Sequence, residues 1–390
     1  MNNKEIAAFR RSIRPDHARL KIFDFLAVYV TKDSGEIYHA EGHPFAMVDR
    51  EQQELYLGNF KKLLAGRLDV KLFPLAFRKE AGEEHAQQVL YQGLTANHAA
   101  EWQEAMLRMV AKMLQHGPFA EDKVITFIRG QYTQPVRKRD EEAEPGEGLE
   151  AYVLPFILCT INQTELPPKI LVFDYVAKEF KYQVSVDPVV KLTAPETGFL
   201  FPCWTDGAAD VNHVLYVAGK ANEPDPVFME EVLNAERRAT AREEREVFGE
   251  IVREVVGEQL DAATIAQVYE AINQFIEERK EEDEPPLMDH RDVERVLVRS
   301  GVEGASPEKV EQAFRQVTDQ VNYELKADNV IPSFMSKSIK IETKVATISI
   351  SPQDLKYVRQ VQMQGKRYLL IELEEDAVIE GFTLKSEPLL

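Results

Sequence analysis

The sequence predicts an α+β protein with an N-terminal mixed, largely antiparallel sheet domain carrying helices, an acidic helical middle and a small C-terminal β module. Three observations carry that reading. Strand and helix patterns are interleaved through residues 1–220. Residues 225–326 show helical spacing with almost no strand signal, and residues 327–390 return to period-two alternation. The middle region is also the acidic one. It holds 26 Asp/Glu against 13 Lys/Arg, a balance of −13 within a chain of net charge −19.

A chain of 390 residues fits two or three domains. The charge of −19 favours solubility and opposes broad attraction to nucleic acid or anionic lipid. The two cysteines, Cys159 and Cys203, are too few for a disulfide framework or a four-ligand zinc site. Buried free thiols in a reducing cytoplasm are expected. The N-terminus has no apolar core of a signal peptide, and no apolar run reaches the roughly 18 residues that span a bilayer. A cytoplasmic protein with no membrane partner is expected.

In order, Asn2 or Asn3 caps a helix to about Ile13, with Ile6, Phe9 and Ile13 on one face. Leu20–Val30 and Glu36–Ala40 read as strands about the Asp33-Ser34-Gly35 turn. Asp49–Leu64 is helical, with Leu55, Phe60, Leu63 and Leu64 apolar. Val70–Phe77 reads as a strand, and a helix follows around Gln87–Leu90. The helix Asn97–Gln115 carries a stripe of Trp102, Met106, Met109, Val110 and Met113, which reads as core filling. Lys123–Tyr132 is a strand, Gln134–Glu150 a charged loop, and Glu150–Ile161 a nearly continuous apolar strand of the kind covered on both faces. Strands at Lys169–Tyr175, Glu179–Val184, Thr197–Phe201 and His213–Val217 complete the first domain.

Phe228, Val232 and Ala235 open the helical region. Helices follow around Phe248–Val256, after Asp261, at Asp289–Ser300, and from Ser306-Pro307 to Leu325. In the β module, a change of phase between Ile341 and Ala346 implies a turn near Glu342–Lys344. Gln364-Gly365 turns a hairpin, and Val378–Leu384 is a closing strand.

Few residues suggest chemistry. Asp174, Glu179 and Lys181 have the residue types of a metal-dependent nuclease, two carboxylates for a divalent ion and a lysine for the developing charge. A hairpin with a polar solvent face explains them equally. Cys203 and His213 have the types of a thiol nucleophile and its base, with nothing local to activate the thiol. Arg10, Arg11, Arg14 and Arg19, together with Arg137, Lys138 and Arg139, are the basic clusters that could meet nucleic-acid phosphate. The helix pair Asp289–Ser300 and Ser306–Leu325 has helix-turn-helix spacing, but its second helix opens on Glu308 and Glu311. Carboxylates there would face phosphate, so a plain helical hairpin is expected. No nucleotide-binding loop and no zinc-hydrolase spacing occurs, so neither cofactor nor resident metal is expected.

Asn3-Lys4-Glu5-Ile6, Arg10-Arg11, Arg14-Pro15, the strand around Tyr29 and Gly365-Lys366-Arg367-Tyr368-Leu369-Leu370-Ile371 resemble an uncharacterised family of Gram-positive bacteria, the domain of unknown function DUF4317. The resemblance spans essentially the whole chain and implies no activity. In layout the chain also resembles the bacterial nucleoid-associated protein family. Shared in order are Pro118-Phe119 before a strand, the apolar strand Ala151–Ile161, a helical middle after Val217, and a terminal β module entered near Lys326. That resemblance implies a DNA- or nucleoprotein-linked role without catalytic residues. The expectation is a non-enzymatic binding protein, possible as a homodimer, with nucleic acid, a nucleoprotein or a basic protein as partner. The alternatives are a metal-dependent nuclease and an acidic scaffold.

Overall fold

The computed structural model describes residues 1–32, 34–79, 82, 84–115, 119–135, 151–167, 170–183, 187–205, 207–257, 260–279, 286–302, 304–331, 339–379, 382–383 and 385. The chain divides into two compact units, Met1–Thr240 and Ala241–Leu390.

The first unit runs α1 (Asn3–Ser12), β1 (Leu20–Val30), β2 (Ile37–Pro44), α2 (Arg50–Leu63), β3 (Leu72–Ala76), α3 (Ala86–Thr95) and α4 (Ala99–Leu114). It continues through β4 (Lys123–Pro135), β5 (Ala151–Glu165), β6 (Ile170–Asp174), β7 (Glu179–Gln183) and β8 (Val189–Val190). It closes with β9 (Thr197–Phe201), β10 (Cys203–Thr205), β11 (Ala208–Asp210) and β12 (His213–Val217). Eight strands form one sheet in the order β2-β1-β4-β5-β9-β12-β3, with β8 beside β5. Every pairing in it is antiparallel. The fold is thus α+β around a large antiparallel sheet.

Both faces of that sheet are covered, which is why its central strands alternate two apolar sets. One face carries Leu26, Val28, Ile125, Phe127, Cys159 and Phe199, packed with the α4 stripe Trp102, Met106, Met109, Val110 and Met113. The other carries Phe25, Ile128, Phe156, Leu158, Leu200 and Leu215 under α1 and α2. On α1, Asn2 caps the helix and Ile6 and Phe9 are buried. The Phe9 ring meets Tyr132, Phe156 and Trp204 edge-on at 5.2, 5.1 and 4.8 Å. A buried phenylalanine contributes about 2–3 kcal/mol. On α2 the inward residues are Leu57, Phe60 and Leu63. The expected Leu55 is exposed instead, because it falls off their i, i+3, i+6 stripe. Between β1 and β4, Arg129 Nε donates to Asp24 Oδ2 at 2.7 Å. Its Nη1 donates to the Gly93 and Ala96 carbonyls, which close α3.

Residues 225–235 read as the start of the helical region in the sequence, but they belong to the first unit. Phe228–Val232 form a five-residue π-type turn. Phe228, Met229, Val232, Leu233 and Ala235 enter the core on the α4 side of the sheet, and Phe228 stacks on Tyr216 at 5.5 Å.

The second unit comprises α5 (Ala241–Val256), α6 (Ala262–Glu278), β13 (Leu287–Met288), α7 (His290–Arg299), α8 (Pro307–Thr318), β14 (Leu325–Lys326) and α9 (Ala327–Val330). Their core gathers Phe248, Ile251, Val268, Ile272, Phe275, Val293, Leu297, Val310 and Phe314. The helix expected to reach Leu325 ends at Thr318, where Asp319 turns left-handed at φ 57°. Leu325 instead pairs with Met288 between β14 and β13.

Three hairpins follow: β15 (Ile339–Glu342) with β16 (Thr347–Ile350), β17 (Val358–Met363) with β18 (Lys366–Ile371), and β19 (Val378–Ile379) with β20 (Phe382–Thr383). The turn expected near Glu342–Lys344 joins the first pair. Gln364 and Gly365, at φ 49° and 79°, supply the two positive dihedrals of a tight hairpin in the second. Within the segment expected as one closing strand, Val378–Ile379 pairs antiparallel with Phe382–Thr383. A short helical turn, Pro352–Tyr357, packs against α6, so the β module shares its unit with the helices. Among the described residues, no helix is long and apolar enough to cross a membrane.

Candidate functional site

The hairpin β6–β7 stands apart in its chemistry. Its strands pair only with each other among the described residues, in the register Asp174↔Glu179, Phe173↔Phe180, Val172↔Lys181 and Leu171↔Tyr182. The turn is set by Asp174, whose Oδ1 accepts from the Val176 and Ala177 backbone N–H groups at 2.8 and 3.0 Å. Lys178 completes it at φ 55°. Strand alternation then sorts the side chains onto two faces. Asp174, Glu179 and Lys181 share one. Leu171, Phe173, Phe180 and Tyr182 share the other.

That second face is open to solvent. Leu171 is 62% exposed, Phe173 41%, Phe180 72% and Tyr182 75%, with Tyr175 at 86% and Val176 at 96% in the turn. The Phe173 ring meets those of Tyr175 and Phe180 at 5.2 Å each, so the rings form a continuous apolar surface. Isolated exposed apolar residues are ordinary, whereas contiguous exposed apolar patches beyond a few hundred Å² are characteristic of interaction surfaces.

Of the three nuclease-type residues, Asp174 and Lys181 are joined, and Glu179 shares their face opposite Asp174 in the register. The Lys181 ammonium bonds to Asp174 Oδ2 while Asp174 Oδ1 holds the turn. Lys181 first, then the Ala177 and Val176 N–H groups, hold the Asp174 carboxyl below the usual carboxylate range. Both oxygens of Asp174 are therefore engaged by the hairpin itself. Among the described residues, no three His, Cys, Asp or Glu side chains are grouped to hold a metal ion.

The other candidates separate. Arg10, Arg11, Arg14 and Arg19 lie on α1 and the loop that follows it. Arg11 and Arg19 both act on Tyr132, whose phenol is pushed up by burial and pulled partly back by the two guanidiniums. Burial lowers the His17 imidazole, and Arg14 and Arg19 lower it further. Arg137, Lys138 and Arg139 lie outside the described residues. Cys203 is buried, and burial pushes its thiol up to about 12, the opposite of an activated nucleophile. His213 is held by Asp210, Nδ1 to Oδ2 at 2.6 Å. The α7–α8 pair forms a helical hairpin on the second unit's core, with Asp289 and Ser306 as caps. In the acidic region, Glu244 is buried and accepts from Asn329 Nδ2 at 2.8 Å, whereas Glu246, Glu250 and Glu254 are exposed along α5. A polar hollow of about 370 Å³ between α3 and α4 is lined by Gln92, Thr95, Asn97, Glu101, Glu104 and Arg108.

The family model described as a domain of unknown function, DUF4317, matches residues 1–382. The chain belongs to that family. No curated protein and no solved structure matches it. The family brings no assigned chemistry, so the residues above carry the functional argument. The aromatic face of β6–β7 escaped the sequence reading, because Leu171, Phe173, Phe180 and Tyr182 alternate as they would in a strand covered by its own fold. The signal within reach was the pairing of that alternation with Asp174, Lys178, Glu179 and Lys181 on a strand pair only five residues long on each side.

Proposed function

We propose that this protein is a non-enzymatic, cytoplasmic binding protein that receives a partner on the aromatic face of the β6–β7 hairpin. The observation that carries this reading is the contiguous exposure of Leu171, Phe173, Tyr175, Phe180 and Tyr182 on a hairpin paired to no other strand among the described residues. Aromatic side chains are the usual anchors of interfaces, since they bring large area at low entropic cost. The opposite face is served by an ion pair and a turn cap, which fix the hairpin's shape without needing a ligand.

The test places a photo-reactive benzoylphenylalanine at Phe180, and separately at Glu179 on the other face, in cells. Adducts from position 180 and none from 179 are expected. Equal yields at both positions, or none at either, contradict the reading.

A second reading, nucleic-acid binding, is favoured by one observation. Arg10, Arg11, Arg14 and Arg19 make no ion pair among the described residues, in a chain that is otherwise rich in carboxylates. A low-salt gel shift with duplex DNA tests it, and Arg11→Ala/Arg14→Ala/Arg19→Ala should abolish any retardation. The absence of retardation with the unaltered chain removes the reading.

A further inference from the structure

Given the docking reading above, on which this rests, the chemistry of the hairpin bears on what its occupant is. We infer that it is a second copy of the same chain, the two hairpins packing face to face about a two-fold axis.

Charge is the first argument. The chain carries −19, so two copies repel in general. Residues 170–183 contain Asp174 and Glu179 against Lys178 and Lys181, a local balance of zero. Screening in physiological salt acts over about 8 Å, so charges close to the contact dominate there. The hairpin is therefore a place where two copies can meet without a local electrostatic penalty. A basic partner would be drawn to the acidic helices instead, where 26 carboxylates face 13 cations. A lipid surface gains nothing from the balanced flanks, and an anionic one is opposed by the chain's charge.

Shape is the second argument. The face is a ladder of two cross-strand pairs, Phe173↔Phe180 and Leu171↔Tyr182. A two-fold axis through its centre lays the first pair of one copy on the second pair of the other, so the patch is self-complementary. It bears no charged side chain that would select an unlike partner.

Area is the third. Phe173, Tyr175, Phe180 and Tyr182 are 41%, 86%, 72% and 75% exposed. At roughly 200 Å² for a fully buried ring, they leave on the order of 500 Å² to cover. Two copies together remove about 1,000 Å², before Leu171 and Val176 are added, which reaches the threshold for a specific interface. A lone two-stranded hairpin is marginal in water, so covering this face also supports the hairpin.

Sedimentation velocity of the purified full-length chain, over a wide concentration range, tests the inference. A concentration-dependent dimer is expected. Phe180→Ser/Tyr182→Ser should weaken it at least about a hundredfold, with circular dichroism and unfolding midpoint at low concentration unchanged. Glu179→Gln, on the opposite face, should leave it intact. A chain that stays monomeric throughout, or a serine variant that dimerises as the unaltered chain does, overturns the inference. So does a monomer that floats with phosphatidylcholine vesicles through Phe180, which would assign the face to lipid. Photo-adducts at position 180 heavier or lighter than two chains, alongside a monomeric purified protein, would overturn the second copy while leaving the docking reading standing.

Discussion

Strands β5 and β6 follow one another in the chain and use the same residue types, but they meet different fates. In β5, Phe156, Ile157, Leu158, Cys159 and Ile161 are buried, alternately against α1 and α2 on one side and α3 and α4 on the other. In β6, Leu171 and Phe173 look out, and their cross-strand partners Tyr182 and Phe180 look out with them. The apolar side chains of β5 are consumed by the fold. Those of the β6–β7 face remain for something else. Substitution should therefore separate the two regions, with stability changes in the first and association changes in the second.

The largest effect is expected at Phe156→Ala. The ring is fully buried and meets Phe9 at 5.1 Å, and its removal leaves a cavity under α1. A loss of about 3–5 kcal/mol in denaturant unfolding is expected. Asp24→Ala comes next, at about 3 kcal/mol, because it leaves the largely buried Arg129 guanidinium with the Gly93 and Ala96 carbonyls but without its counter-charge. The same loss at Phe180 would mean that its ring, like that of Phe156, belongs to the folded core.

A smaller effect is expected at Asp122, which ties the end of β1 to the start of β4. Its carboxylate accepts from the Tyr29 hydroxyl at 2.7 Å and from the Lys32 N–H at 2.9 Å. The Lys32 N–H first, and then the Tyr29 hydroxyl, hold its carboxyl below the usual range. A depressed carboxyl stabilises the folded chain above its unfolded value, near pH 4, and that contribution fades as pH falls through the folded value. Asp122→Asn should cost about 1 kcal/mol at neutral pH. The gap between the variant and the unaltered chain should narrow below about pH 4, measured by urea unfolding across that range. A gap that widens on acidification would reverse the assignment.

Much of the architecture was legible because it rests on local rules. Of the expected caps, Asn2 (rather than Asn3), Asp261 and Ser306 all accept backbone N–H groups in the structure. The Trp102–Met113 stripe and the continuous apolar run of β5 declare core positions in the same way. What was not legible depended on distant partners. Phe228 and Val232 have helical spacing whether they pack on the acidic helices or, as they do, in the core of the first unit, where Phe228 stacks on Tyr216. Leu325 continues the α8 period, yet Asp319 turns the chain so that it meets Met288. The aromatic face of β6–β7 is the extreme case, since alternation specifies a face and is silent on what lies against it.

The most direct measurement compares Phe180→Ser/Tyr182→Ser with Phe156→Ala by equilibrium unfolding at a concentration low enough to keep the chain dissociated. The hairpin variant should lie within about 0.5 kcal/mol of the unaltered chain, as surface substitutions do, while Phe156→Ala loses several. A loss at the hairpin as large as that at Phe156 would mean the aromatic face belongs to the fold, and the docking surface would be contradicted.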